Sequence, residues 1–274
     1  MAGPIHSHRR VALLLEYDGT QYSGWQRQLN APSIQEVLEN TFRRMLGRYI
    51  NVIAAGRTDA GVHALGQVAH VDLPPTVTLP PLNLAKALNT MLPPDIRILW
   101  CADVPGDFHA RFAAIHRTYL YTLTLFESVF YRHYAWQLRY TIDPALLQQS
   151  AGIFVGEYDF TTFSKFNADT RNYICNVDRC EWRLLSPGVW QLVISANRFV
   201  YGMVRSLVGA MVDVARGKRT IAELQAALEQ KDRALNSPLA PARGLVLAQV
   251  RYDPDPFAPY YQQEHVQHHL AFLF

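Results

Sequence analysis

The sequence is poor in the features that mark several large protein classes. Its three cysteines, Cys101, Cys175 and Cys180, are an odd number without a Cys-x-x-Cys pair, which favours reduced thiols over a disulfide frame or a zinc site. No stretch approaches the roughly 18 uninterrupted apolar residues of a membrane helix. The first ten residues lack the apolar segment of a signal peptide. We therefore expect a cytoplasmic protein without bound metal and without a membrane partner.

The common cofactor and hydrolase motifs are also missing. The chain contains no G-x-x-x-x-G-K-[ST], no G-x-G-x-x-G and no G-x-S-x-G, so a nucleotide cofactor or a serine nucleophile has no support. We expect no cofactor. Lysine is scarce, since only four of the 26 Lys and Arg residues are lysines. The arginine fork suits phosphate and base recognition, although a GC-rich genome would produce the same bias. The net charge of +3 permits a polyanionic partner without requiring one.

Hydrophobic periodicity and turn residues predict alternating strands and helices in the first part of the chain. Ser33 and Glu36 have capping-box spacing at the start of one helix, and Gly47 suits its end. The predicted order is strand, helix, strand, strand, helix, strand. The segments are strands at 11–16, 49–54, 67–73 and 97–104 and helices at 33–46 and 82–92.

The second part repeats this order. Its predicted segments are strands at 117–125, 180–185, 189–196 and 245–252 and helices at 144–154 and 203–215. Each half then has the ferredoxin-like βαββαβ order. We therefore predict a mixed α+β protein with two such halves, at residues 1–110 and 111–274. The halves are expected to form an extended, mostly antiparallel sheet with helices on one face and a central active-site cleft.

The stretch GRTDAGVHA at 56–64 lies in the middle connection of the first half, where the second half has only the turn at 186–188. Two interpretations are open, a turn braced by a salt bridge and a loop that presents Asp59 as a nucleophile. An arginine nearby, such as Arg57, favours the charged form of a carboxylate. No second acid stands at a spacing that local structure would fix, which argues against a glycosidase pair. Short motifs of this kind do not decide between the two interpretations.

Other candidate features have equally plain structural explanations. Tyr119 and Tyr121 share one face of a predicted strand, as core residues or as a stacking surface for a base. The loop at 24–28, GWQRQ, suits RNA contact or an ordinary surface loop. Arg205 stands in the first turn of a helix, where the helix dipole does not favour a cation, so we expect it to bind a carboxylate or phosphate.

The histidines do not form a convincing metal site. His63 and His70 are seven residues apart across a bend, and we interpret them as structural groups. His265, His268 and His269 are interpreted as part of an ordinary polar tail. No role is assigned to the tail at 253–274.

Eight segments in chain order carry a resemblance to the tRNA pseudouridine synthase I family, the TruA family. They are EYDGTQYSGWQRQ at 16–28, SIQEVLE at 33–39, AGRTDAGVHALGQVAHVD at 55–72, ALNTMLPPDI at 87–96, FHARFAAIHRTYLYTL at 108–123, GEYDFTTFS at 156–164, FVYGMVRSLVG at 199–209 and ARGLVLAQVRY at 242–252. The resemblance covers nearly the full length of the chain.

This resemblance implies an isomerase that converts uridine to pseudouridine at positions 38, 39 and 40 in the anticodon stem-loop of tRNA. It also implies a homodimer, a basic cleft and no cofactor. Asp59 matches the catalytic aspartate, and Arg57 matches the arginine that helps to displace the flipped base. The remaining matches are Tyr119 to the tyrosine that stacks on the target uracil, Arg205 to the arginine that pairs with the aspartate, and Leu245 to an apolar residue of the base pocket.

The chain departs from the family pattern near Arg205. Tyr201-Gly202 stands where the family often has His-His, and Ser206 stands where Asn is common. Attack of Asp59 at C1′ or C6 and removal of the C2′ proton stay open as mechanisms. Two other classes of function also stay open, namely a non-catalytic protein that binds structured RNA and a cofactor-independent isomerase or lyase of small molecules.

Overall fold

The computed structural model describes residues 8–168 and 170–267, which form two compact units. The first unit runs to Ile115 and resumes at Gln249, and the second is His116–Ala248. The predicted division between residues 110 and 111 differs from this grouping, because the described residues 249–267 belong to the first unit. Hydrogen bonds hold them there, from Ile115 N to Arg251 O at 2.9 Å and from Tyr252 Oη to Ala110 O at 2.7 Å.

The first unit has the predicted βαββαβ order. Its elements are β1 (Arg9–Tyr17), α1 (Ile34–Leu46), β2 (Ile53–Ala54), β3 (His63–Leu73), α2 (Pro81–Asn89) and β4 (Ile96–Asp103). The strands lie in the order β4-β1-β3, with β2 on β3, and these pairs are antiparallel. The order along the chain and the order across the sheet are those of a ferredoxin-like unit.

Helix α1 forms where the sequence predicts it. The Ser33 hydroxyl accepts a hydrogen bond from Glu36 N at 3.3 Å, which satisfies one of the free N–H groups of the first turn. Gly47 ends the helix in the left-handed conformation. Ile34, Leu38 and Phe42 are fully buried, so the predicted apolar face is the face that packs into the core.

The second unit contains the predicted elements and several more. Its elements are β5 (His116–Thr124), β6 (Trp136–Gln137), α3 (Pro144–Gly152), β7 (Gly156–Asp159), β8 (Ile174–Ser186), β9 (Val189–Ala196), α4 (Met203–Ala215), α5 (Ile221–Gln230) and β10 (Leu245–Arg251), whose last residues belong to the first unit. The order is β10-β5-β9-β8-β7. The pairs of β5 with β9, β9 with β8 and β8 with β7 are antiparallel, and β6 lies parallel to β5.

These elements confirm a mixed α+β fold with mostly antiparallel strands. Four elements were not predicted from the sequence, namely α5, β6, β7 and the short helix α6 (Ala258–Tyr261). Helix α4 has the predicted bounds and is buried almost all round, with Arg205 and Asp213 as its less buried members. In the part of the chain that is described, no helix has the length and apolar character needed to cross a membrane.

Candidate active site

Asp59 lies in the loop that joins β2 to β3. Its side chain is half-buried, whereas the neighbouring Arg57 is exposed and Thr58 is buried. Val62 N donates a hydrogen bond to Asp59 O at 3.1 Å, which closes the turn that follows the carboxylate. The equivalent connection in the second unit, between β8 and β9, is a tight turn without such a loop. The long loop predicted from the sequence is therefore present.

Thr58 fixes the loop immediately before Asp59. Its hydroxyl hydrogen-bonds to Tyr17 Oη at 2.8 Å, and its carbonyl oxygen accepts from Trp25 N at 3.0 Å. Gln67 Nε2 donates to Gly56 O at 2.9 Å and to Tyr17 Oη at 3.3 Å. These side chains are buried, so the network rigidifies the loop and sets the direction in which the Asp59 side chain leaves the backbone.

Residues 17–25 lie directly against the loop. Gly24 has φ +91°, and a Cβ on it would stand 2.5 Å from Thr58 O, so only glycine allows this approach. Tyr22 O accepts from Gly61 N at 3.3 Å. Trp25 is 3% exposed and its ring lies 6.1 Å from that of Tyr17. Both interpretations of the loop at 24–28 were thus wrong for Trp25, which is a core residue that supports the Asp59 loop.

The remaining side chains of that segment point to solvent but are partly paired. Gln26, Arg27 and Gln28 are exposed. Arg27 Nη1 lies 3.2 Å from the buried carboxylate of Glu39, and Gln28 Nε2 donates to Ser23 O at 2.8 Å. Arg27 therefore compensates a buried charge, which explains its position without any ligand.

His63 and His70 are structural, as predicted. Both are buried, and His63 Nδ1 lies 3.1 Å from Gly19 N and from Asp18 Oδ1. His70 Nδ1 accepts from Ala110 N at 3.2 Å, and burial, with smaller contributions from nearby positive charges, lowers the pKa of His70 to about 4. Among residues 8–168 and 170–267 no cluster of His, Cys, Asp and Glu is arranged to hold a metal. His268 and His269 lie outside the described residues.

Tyr119 and Tyr121 lie on the same face of β5 but differ in depth. Tyr121 is fully buried and its hydroxyl donates to Pro241 O at 2.8 Å, while burial raises its pKa well above the ordinary value. Tyr119 is half-buried, and its ring meets Phe199 edge-on at 5.1 Å. Tyr121 is therefore core, and Tyr119 is the one that can offer part of its ring to a ligand.

Arg205 and Leu245 are connected by the segment at 240–245. Arg205 Nε donates to Ala240 O at 2.7 Å, and Ala240 N donates to Arg205 O at 3.1 Å. The chain then crosses Tyr121 at Gly244, where a Cβ would stand 2.7 Å from the Tyr121 ring. Leu245 follows as the buried first residue of β10. Glycine at 244 is thus required for the position of Leu245.

Ser206 and Tyr201, the two positions noted above against the family pattern, lie in different environments. Ser206 is fully buried, and its hydroxyl accepts from Asn236 Nδ2 at 3.0 Å, so it is a packing position inside the second unit. Tyr201 is 45% exposed and lies at the start of α4. Tyr201 therefore lies on a surface that a ligand can reach, and Ser206 does not.

The structure thus places the five candidate residues in two groups. Asp59 and Arg57 share one loop of the first unit, and Tyr119, Arg205 and Leu245 belong to the second unit. The residues that support them were not assigned this role from the sequence. The main supporting residues are Tyr17, Thr58, Gln67, Tyr121 and Gly244. The available signal was their position inside the segments that carry the resemblance.

These features define an α+β protein whose first unit presents a carboxylate from a braced loop and whose second unit offers a partly open tyrosine and an anchored arginine. The sequence pattern of the tRNA pseudouridine synthase family matches residues 14–113 and 151–253. This match covers well over half of the chain and includes four of the five candidate residues, since Tyr119 lies between the two matched ranges. The chain therefore belongs to the tRNA pseudouridine synthase family.

Curated relatives extend this similarity over nearly the whole length. The chain is 39% identical over 252 residues to tRNA pseudouridine synthase A of Bacteroides thetaiotaomicron, which covers 91% of this chain and 93% of the relative. It is 39% identical over 249 residues to the Porphyromonas gingivalis protein of the same name, with 90% and 99% covered. The Chlamydia trachomatis serovar A protein of that name is 40% identical over 264 residues, with 94% and 97% covered.

Proposed function

We propose that this chain isomerises uridine to pseudouridine at positions 38, 39 and 40 in the anticodon stem-loop of tRNA, with Asp59 as the catalytic residue. Membership of the family supplies the enzyme class, an isomerase that acts on uridine in tRNA. The observation that carries the role of Asp59 is the loop itself. Buried hydrogen bonds fix its neighbour Thr58, while the carboxylate stays partly open to a ligand. Such preorganisation is what a carboxylate needs to meet a reacting atom.

The reaction is a redox-neutral rearrangement. The N1–C1′ bond of uridine breaks, the uracil turns, and a C5–C1′ bond forms. The proton on C5 leaves to solvent and N1 gains a proton, so atoms and electrons balance without an electron carrier. Asp59 would attack C1′ or C6, or would take the C2′ proton. In each route an ionised carboxylate is required at the start.

The target base must leave the helical stack before the carboxylate can reach it. Enzymes that act on a base pay a few kcal/mol for this extrusion and recover it from stacking and from backbone contacts. Arg57 is exposed beside Asp59 and is assigned to displacing the base. Tyr119 is assigned to stacking on the uracil, since the edge contact with Phe199 fixes its ring and leaves it partly open.

Arg205 and Leu245 complete the proposed set. The hydrogen bond from Arg205 Nε to Ala240 O fixes the direction of the guanidinium, which suits a group that keeps a catalytic carboxylate ionised. Leu245 is assigned to the apolar pocket that holds the detached uracil. The proposed residues thus come from both predicted halves of the chain, 1–110 and 111–274, and act in one catalytic cycle.

We expect a homodimer, and sedimentation equilibrium of the purified protein tests it, because a monomer at all concentrations would contradict it. We also expect a cytoplasmic protein, because its substrate is tRNA and because all three cysteines are free and buried.

Mapping pseudouridine in treated tRNA tests the proposed function. An unmodified tRNA transcript with uridines at positions 38 to 40 is incubated with the parent protein, with Asp59→Asn or with Asp107→Asn, an exposed carboxylate of the same unit. We expect modification at those positions by the parent and by Asp107→Asn, and none by Asp59→Asn. Equal modification by Asp59→Asn would contradict the catalytic role. RNA binding without modification by any of the three would favour a non-catalytic RNA-binding protein.

A further inference from the structure

The second unit carries a partly exposed cluster of aromatic and basic side chains that has no role in the proposed catalytic steps. It consists of Lys165, Phe166, Tyr173, Tyr201 and Arg233, and is called the aromatic–basic cluster below. Phe166 is 74% exposed, so packing in the core does not account for a phenylalanine at this position.

Cations hold the rings of the cluster in place. Arg233 lies 4.7 Å from the Tyr173 ring centre and 6.0 Å from that of Phe166. Lys165 Nζ lies 5.0 Å from the Tyr201 ring centre. These distances are those of cation–π contacts, so each ring has a positive group beside it.

The backbone fixes the same groups. Arg233 Nε donates to Ser164 O at 3.1 Å, which ties the guanidinium to the chain just before Lys165. Lys165 N donates to Tyr201 O at 2.8 Å, directly before α4 begins at Met203. The cluster is therefore a built surface at the start of the helix that carries Arg205.

Within the described residues, neither Lys165 nor Arg233 has a carboxylate within salt-bridge distance. The Asp232 carboxylate accepts from Ala234 N and caps a short turn. Arg198 adds a further positive charge beside the same segment, through a 3.3 Å hydrogen bond to Asn172.

We propose that the aromatic–basic cluster binds an unpaired nucleotide of the tRNA substrate, with a base stacked on Phe166 and backbone phosphates on Lys165 and Arg233. Exposed aromatic rings interleaved with arginine and lysine are the combination that binds single-stranded RNA, because the rings stack on bases and the cations meet phosphates. The inference rests on the proposed function in that the RNA is the tRNA. It concerns a contact outside the reacting base.

Affinity and turnover of single variants test the cluster separately from the chemistry. Binding of a labelled tRNA transcript is measured by fluorescence anisotropy, and turnover by release of tritium from C5-labelled uridine at saturating tRNA. For Phe166→Ala we expect Kd to rise about tenfold, which corresponds to about 1.4 kcal/mol. We expect kcat to stay unchanged, and Phe166→Trp to bind like the parent.

A matched control and a charge variant complete the design. Phe130→Ala removes an 85% exposed phenylalanine of the same unit, outside the cluster, and should leave Kd unchanged. Lys165→Gln should reduce the slope of log Kobs against log salt by about 0.7 to 0.9 if it meets one phosphate. A Kd for Phe166→Ala within twofold of the parent, or an equal loss for Phe130→Ala, would overturn the inference.

The two proposals can fail separately. If Phe166→Ala weakens RNA binding but the parent releases no tritium, the proposed isomerase activity is refuted and the proposed role of the cluster is supported. If the parent releases tritium but Phe166→Ala has an unchanged Kd, the isomerase activity is supported and the role of the cluster is refuted. Absence of RNA binding by the parent would overturn both.

Discussion

Gly24→Ala tests whether residues 17–25 position the catalytic loop. The new Cβ would stand 2.5 Å from Thr58 O and 3.0 Å from Asp59 C, so either the loop or the segment must move. The backbone at Gly24 has φ +91°, where a residue with a Cβ is strained by about 1–2 kcal/mol. Overpacking adds about 1–3 kcal/mol. The expected loss is about 2–5 kcal/mol in the free energy of unfolding.

The same change should reduce activity in the folded protein. A displacement of about 1 Å at a catalytic group can cost a hundredfold in rate. We therefore expect kcat for tritium release to fall about a hundredfold under conditions where Gly24→Ala is still folded. Urea unfolding measures the stability, and the tRNA assay at saturating substrate measures kcat.

Gly56→Ala is the matched control, because it makes the same chemical change in the same loop. A Cβ at Gly56 would meet no atom within 4 Å, and its φ lies outside the left-handed region. We expect a change within about 0.5 kcal/mol. If Gly24→Ala and Gly56→Ala had equal unfolding midpoints and equal kcat, the argument that Gly24 is required by close approach would be refuted.

Three other predictions follow from buried groups. Gly244→Ala should lose about 1–3 kcal/mol in urea unfolding, because its Cβ would stand 2.8 Å from Thr122 O, and an unchanged midpoint would contradict this. The pKa of His70 is about 4 when folded and about 6.5 when unfolded, so the unfolded chain binds the proton first and stability falls from about pH 6.5 towards pH 4. The parent should lose roughly 2 kcal/mol more than His70→Asn between pH 7 and pH 5. Finally, burial raises the pKa of all three cysteines, so a thiol reagent should modify them slowly in the native protein and quickly in urea, and rapid native reaction would refute this.

Short-range sequence signals predicted those elements whose ends are stabilised by contacts within a few residues. Helix α1 begins at the residue after Ser33 and ends before Gly47, because a cap and a left-handed glycine act within a few residues. Helix α5 carries a signal of the same kind, the Thr220 and Glu223 capping box, and could have been predicted. Strand β6 is only two residues long and forms by pairing with β5, so it leaves no pattern of its own.

In the candidate site, too, short-range sequence signals do not indicate contacts between distant segments. The alternation along β5 places Tyr119 and Tyr121 on one face, but their depth is decided by the distant segment at 240–245 that covers Tyr121. Trp25 is buried because Tyr17 and Thr58 lie against it, which no local pattern indicates. The sequence predicted the long loop that carries Asp59, and the structure contains that loop. The residues that brace the loop required tertiary structure.

The central claim is that Asp59 carries the chemistry on tRNA. The most direct measurement is tritium release from tRNA labelled at C5 of uridine, comparing the parent with Asp59→Asn, together with a gel shift of the same RNA. We expect release by the parent, none by Asp59→Asn, and equal binding by both. Release by Asp59→Asn at the parental rate would contradict the account.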